Sequence, residues 1–194
     1  MDVLLIGSSV AHGLYASEGK SWAALLGHAL KTQYNMTMKN IAVPGFTTIS
    51  TQKQLNNAFA YFASSKPKYV IVSLSLWNEG LHTCSTRDMA QKFINHYLTN
   101  MIHIVNTIKA AGAQPIVCSV YPNQLYSELH REVLYFIHSY MRTYKGCYID
   151  FMSVTDNGQG LWKPNMIYDA AHPNDIGHRA MFDAIDLGIF SQAN

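Results

Sequence analysis

Val3-Leu4-Leu5-Ile6-Gly7-Ser8-Ser9 opens the chain with an unbroken apolar run that ends in a turn of small residues. A strand covered on one face alternates apolar and polar side chains, whereas a strand covered on both is apolar throughout. The run 3–6 is of the second kind, and 36–42, 69–76, 115–120 and 147–151 read as further buried strands. Between them lie segments of helical period. Ile94, Tyr97, Leu98, Met101, Ile102, Val105 and Ile108 recur at steps of three and four, predicting a helix over 87–111. Ser85 with Asp88 reads as its capping box and Gly112 as its stop. Val133, Phe136, Ile137, Tyr140, Met141 and Tyr144 predict a second helix over 128–144, opened by Ser127 and ended by Gly146. Weaker helical patterns occupy 21–32 and 51–63, and a last helix follows Pro173. Strands alternating with helices predict an α/β fold, a three-layer sandwich around a five-stranded, mostly parallel sheet. With no repeat, linker or low-complexity tract, residues 1–194 are expected to form one domain.

Composition narrows the function classes. The 194 residues are 48% hydrophobic and 13% charged, with a formal net charge of +2. Basic residues are scattered, the densest group being Lys66 and Lys68, so the chain lacks the basic stripe of a nucleic-acid binder. No run approaches the roughly 18 apolar residues of a membrane span. Asp2 follows Met1 directly, unlike the basic start of a secretory signal, and a cytoplasmic location is expected. Cys84, Cys118 and Cys147 are odd in number and widely spaced, which reads as reduced thiols rather than a disulfide framework or zinc knuckle.

In a parallel sheet the chemistry gathers at the carboxyl ends of the strands. The residues standing there are Gly7-Ser8-Ser9, Val43-Pro44-Gly45, Trp77-Asn78-Glu79 and Tyr121-Pro122-Asn123, joined by the loop from Asp169 to Asn174. Pro173 disfavours the helical conformation at His172 and keeps it in an extended loop. Asp169, three residues earlier, can fold back onto its imidazole. A serine hydroxyl is a poor nucleophile until a neighbouring base takes its proton. An imidazole titrates near neutrality and suits that task, and a carboxylate on its far nitrogen fixes the tautomer. The oxyanion formed on attack needs donors, which Gly45 can offer through its backbone N–H and Asn78 through its side-chain amide. Each feature also has a plain structural use: a serine cap, a turn glycine, a turn asparagine, a packed histidine.

Ser9, Gly45, Asn78 and His172, in that order and each after its expected element, resemble the four residues that name the SGNH (GDSL-like) hydrolases. The resemblance runs from Gly7 to the helix beyond His172. It implies a flavodoxin-like sandwich with no required metal or cofactor. It further implies Ser9 as nucleophile, His172 as base and then acid, Asp169 as its orienting carboxylate, and an oxyanion hole of the Ser9 and Gly45 N–H groups and the Asn78 amide. The expected partner is a small-molecule ester. Two blocks depart from the family: Ser8 stands where an aspartate is usual, and Leu76-Trp77-Asn78-Glu79 replaces Gly-x-Asn-Asp. The first change leaves open which of two adjacent serines attacks.

Other readings compete. Asp169, His172, Asp175 and His178 recur every three residues and could gather a metal if one helix carried them all. The Gly7-Ser8-Ser9 turn could instead cradle a phosphate in a flavodoxin-like binding module. A non-catalytic relative, or an acyltransferase using the same residues, also fits. His12 and Trp77 are candidate substrate contacts, and Trp162 is a further aromatic for that role. His178 reads as a cap or packing residue of the last helix.

Overall fold

The computed structural model describes residues 1–61 and 66–191. Its strands are β1 (Val3–Gly7), β2 (Met38–Asn40), β3 (Tyr69–Ser73), β4 (Gln114–Cys118) and β5 (Cys147–Ile149), in the order β2-β1-β3-β4-β5. All four pairings are parallel. The helices are α1 (Ser9–His12), α2 (Trp22–Tyr34), α3 (Thr48–Tyr61), α4 (Arg87–Ala110), α5 (Glu128–Met141), α6 (Met152–Thr155) and α7 (Asp175–Asp183).

The opening run explains the layering. Leu4 and Ile6 of β1 pack with Val70 and Val72 against Leu55 of α3, Ile94 and Ile104 of α4 and Val133 and Ile137 of α5. Val3 and Leu5, pointing the other way, pack with Ile71 against Trp22 and Leu26 of α2 and Met181 of α7. Alternate side chains thus enter opposite cores, so every position of β1 and β3 must be apolar or small. Burying each Leu, Ile or Val contributes about 1.5–3 kcal/mol.

The strand order reverses between β1 and β3, and in sheets of this order ligands bind at that switch point. There the two strands approach so closely that a Cβ on Gly7 (φ 152°) would lie 2.0 Å from the Ser73 carbonyl oxygen. Only glycine lets β1 run to its end beside β3 and deliver Ser8 and Ser9 to the sheet's rim.

Several expectations shift. The run 36–42 yields only a three-residue edge strand whose Lys39 and Asn40 are exposed, so β2 is not covered on both faces. The chain leaves the sheet after Ser73, although Leu74 and Leu76 stay buried. The long helix is capped by Thr86, whose hydroxyl accepts from the Met89 N–H at 3.3 Å, not by Ser85. In the pattern over 51–63 the helix starts earlier, at Thr48, while residues 62 and 63 lie outside those described. Ser127 caps α5 as expected, with His130 completing a capping box and its Nε2 lying 2.9 Å from the Cys84 carbonyl. Among the described residues no helix is long and apolar enough to cross a membrane.

Candidate functional site

The turn after β1 and the loop before α7 meet at the carboxyl end of β1. Ser9 is the first residue of α1 and is almost buried, its Oγ 2.9 Å from His172 Nε2. His172 Nδ1 lies 2.8 and 3.0 Å from the two oxygens of Asp169. A proton on Nδ1 satisfies that carboxylate, which leaves Nε2 as the acceptor for the serine hydroxyl. Asp169 Oδ1 also accepts from the Ala171 N–H at 2.8 Å and the His172 N–H at 2.9 Å. Burial raises the Asp169 carboxyl, but these amides and the imidazole outweigh it and hold its pKa below the ordinary value.

The His172 loop is braced from both sides. Ile167 and Pro173 form an antiparallel bridge, and the Tyr168 N–H donates to the His172 carbonyl at 3.0 Å. Asn174 caps α7 by accepting from the Ile176 and Gly177 N–H groups. In the loop after β4, the Gln124 N–H donates to the Ala170 carbonyl at 2.8 Å, while the Gln124 side chain accepts from the Trp162 N–H at 3.1 Å. Gln124 is a support that the sequence did not flag.

The two adjacent serines part company. Ser8 is wholly buried, and its Oγ has no hydrogen-bond partner among the described residues. The hydroxyl that replaces the family's carboxylate therefore does not cap α1, and only Ser9 meets the imidazole.

The loop that carries Gly45 is tied to the end of β1, where the Val43 N–H donates to the Gly7 carbonyl at 3.1 Å. Gly45 sits at φ 81° with open space where a Cβ would go, so backbone conformation rather than crowding calls for glycine. The Asn78 Nδ2 donates to the Phe46 carbonyl across a long 3.4 Å, which places the amide against the loop that carries Gly45. The next residue ties the same two loops more tightly. Glu79 accepts from both the N–H and the hydroxyl of Thr48, the first residue of α3, where a carboxylate also complements the helix dipole. Burial raises the Glu79 carboxyl above its usual value, and the Thr48 bonds and the charge of His96 only partly reverse this.

The remaining candidates lie as follows. His12 is exposed, with Nδ1 3.0 Å from the Ala42 carbonyl at the end of the β2 loop. Trp77 stacks on His82 at 4.3 Å and leans on buried Tyr126. Trp162 is fully buried beside Tyr121, so it cannot serve as a wall for substrate. The residues of the rival metal pattern have separate partners. Asp175 accepts from the Ser17 N–H and pairs with Lys20, and His178 is buried with Nδ1 3.4 Å from the Trp22 N–H. Among the described residues no group of three or more His, Cys, Asp or Glu side chains is placed to hold a metal. Two exposed rings that the sequence did not single out, Tyr15 and Tyr168, stand beside His172.

The sequence matches the GDSL-like lipase/acylhydrolase family over residues 5–180. No curated protein matches it. Its fold is similar to that of a lipolytic G-D-S-L family protein from Veillonella parvula, with a TM-score of 0.74, 16% identity and 100% of both chains covered. It is also similar to a lipase from a goat rumen metagenome, with a TM-score of 0.77, 14% identity and 95% of each chain covered. An acetyl xylan esterase gives a TM-score of 0.66 at 16% identity, over 95% of this chain and 97% of that one. At such identities the likeness is one of fold.

Proposed function

The chain belongs to the GDSL-like lipase/acylhydrolase family, and from that premise we propose that it is a serine esterase or acylhydrolase working through an acyl-enzyme. The single observation that carries this reading is the continuous relay from Ser9 Oγ through His172 to Asp169, with contacts of 2.9 and 2.8 Å. In acylation, Ser9 Oγ bonds to the ester carbonyl carbon as His172 Nε2 takes the hydroxyl proton. The negative charge moves onto the carbonyl oxygen, for which the Ser9 and Gly45 N–H groups and the Asn78 amide are the donors. One well-placed donor of this kind is worth roughly 2.7–4 kcal/mol. When the tetrahedral adduct collapses, the ester C–O bond breaks and His172 returns its proton to the departing alcohol. Water then repeats the sequence on the acyl-enzyme and frees the acid and Ser9.

Short acyl groups are the proposed substrates. An apolar groove of about 840 Å³ does lie between α4 and α5, but it opens beside Pro115 and Cys147 at the amino ends of β4 and β5. A chain esterified at Ser9 emerges at the opposite end of the sheet. A p-nitrophenyl ester series checks this, with acetate or butyrate expected to turn over faster than longer esters. The test of the central reading is labelling by a fluorophosphonate. Wild type and Ser8→Ala should react and Ser9→Ala should not. Persistent labelling of Ser9→Ala would remove Ser9 from the mechanism.

A further inference from the structure

Tyr15 and Tyr168 stack with ring centroids 4.5 Å apart and planes 10° from parallel. Tyr15 also meets the His172 imidazole edge-on at 5.1 Å. Both rings are open to solvent, Tyr15 at 46% and Tyr168 at 58% exposure. Tyr15 adopts a left-handed backbone (φ 65°), which is costly for a bulky residue and persists only where the surroundings impose it. The residues on either side are held by backbone bonds, Leu14 N–H to the Ser9 carbonyl at 3.0 Å and Ala16 N–H to the Gly13 carbonyl at 3.1 Å, and Asp175 accepts from the Ser17 N–H at 2.8 Å. Tyr168 is held by its N–H bond to the His172 carbonyl. The rings thus cover one face of each other, and the stacked pair is fixed at the rim of the base with the rest of its surface open to solvent.

Their position relative to the reaction gives them a use. In the tetrahedral adduct the carbonyl carbon carries Ser9 Oγ, the oxyanion, the acyl carbon and the alcohol oxygen. The oxyanion belongs with Gly45 and Asn78, and the alcohol oxygen must reach His172 Nε2 to collect its proton. The body of the alcohol therefore extends past the imidazole, toward the tyrosines. Resting on the reading of Ser9 and His172 above, the geometry points to Tyr15 and Tyr168 as a leaving-group subsite that selects esters whose alcohol carries a ring with a flat apolar face. Aromatic rings and the C–H faces of sugar rings present the same chemistry to a tyrosine pair, and the leaving alcohol can supply either.

Three acetates sharing one acyl group test it: benzyl acetate, an acetylated methyl glycoside and ring-free butyl acetate. Aromatic pairing of about 0.5–1.5 kcal/mol corresponds to roughly 2- to 12-fold. Tyr168→Ala should lower kcat/KM for ring-bearing acetates by that factor relative to butyl acetate, chiefly through KM, and Tyr168→Phe should restore it. Tyr15→Asn, which removes the ring but tolerates the left-handed backbone, should do the same as Tyr168→Ala. A selective loss with only one ring-bearing ester identifies the source, aryl or sugar. Equal losses on all three acetates, or none, overturn the subsite, because a ring that merely props His172 would not distinguish alcohols. Protection of Ser9 from fluorophosphonate by benzyl alcohol or methyl glycoside, but not by butanol, gives a readout independent of turnover. Absence of any Ser9-dependent labelling would instead bring down the underlying serine reading.

Discussion

The two halves of the candidate site, the Asp169–His172 loop and the loops bearing Gly45 and Asn78, are built differently. On the His172 side an unbroken chain of hydrogen bonds joins Ser9 to Asp169. Its contacts measure 2.8–3.0 Å, and the Asp169 carboxyl is held below its ordinary pKa by the amides around it. On the Gly45 and Asn78 side the candidate donors sit on two loops whose direct link is a long 3.4 Å bond from Asn78 to Phe46, reinforced by Glu79 on Thr48. Proton transfer fails if one member is lost, whereas charge on an oxyanion is shared among donors. Damage to the first flank should therefore abolish the chemistry, and damage to the second should grade it.

The largest effect expected is from Ser9→Ala, a fall in kcat of at least about 10⁴-fold, with His172→Ala adding little to it because the pair acts as a unit. Single-turnover kinetics on both variants and the double variant check this, and multiplicative losses would break the relay. Asp169→Asn should approach the ~10⁴-fold loss seen when a triad aspartate is neutralised, tempered because the Asp169 side chain is 41% exposed and water can partly replace it. The lowered Asp169 pKa also means that a loss of activity on acidification to pH 5 does not come from this carboxylate. Asn78→Ala should cost about 10²–10³-fold in kcat with KM little changed. A loss confined to KM would place Asn78 in ground-state binding instead.

A stability measurement sharpens the contrast further. His178, in α7 just beyond the Asp169–Asn174 loop, is wholly buried, and desolvation pushes its pKa down to about 4. A base with a depressed folded pKa is disfavoured once the unfolded chain protonates. Stability tied to His178 is therefore intact above about pH 6.5 and declines as pH falls toward 4, by roughly 3 kcal/mol in all. Thermal melts from pH 7 to 4.5 should show this decline in wild type and much less of it in His178→Asn. The smallest effect belongs to Glu79. Glu79→Gln should lower kcat less than tenfold, since an amide keeps one contact to Thr48. A loss as large as that of Asn78→Ala would mean that the clasp, rather than the loops themselves, holds the oxyanion flank.

Much of this was legible in the chain. The apolar run 3–6 and the helical stripes set the alternation of strands and helices, and Pro173 kept His172 in a loop, because local periodicity and backbone restriction act within a few residues. The Ser8-Ser9 pair, Asp169 and His172 stood out because ester chemistry needs those residue types and Asp169 and His172 are close along the chain, while the choice of Ser9 rested on the resemblance to the SGNH hydrolases. Position in the sheet was read less well: the polar Thr37, Lys39 and Asn40 within 36–42 fit an exposed edge strand rather than a buried one, and of the adjacent hydroxyls of Ser85 and Thr86 it is Thr86 that caps α4.

Sequence alone therefore determined the layered α/β plan and the residue types able to carry ester chemistry. Tertiary structure decided which serine faces the imidazole, that Glu79 clasps Thr48 across two loops, that Trp162 is core, and that Tyr15 and Tyr168 meet beside His172. The reason is one of range. Periodicity and capping are fixed by contacts a few positions apart, whereas Ser9 and His172 are separated by 163 positions and their 2.9 Å contact exists only once the whole sheet has ordered its loops.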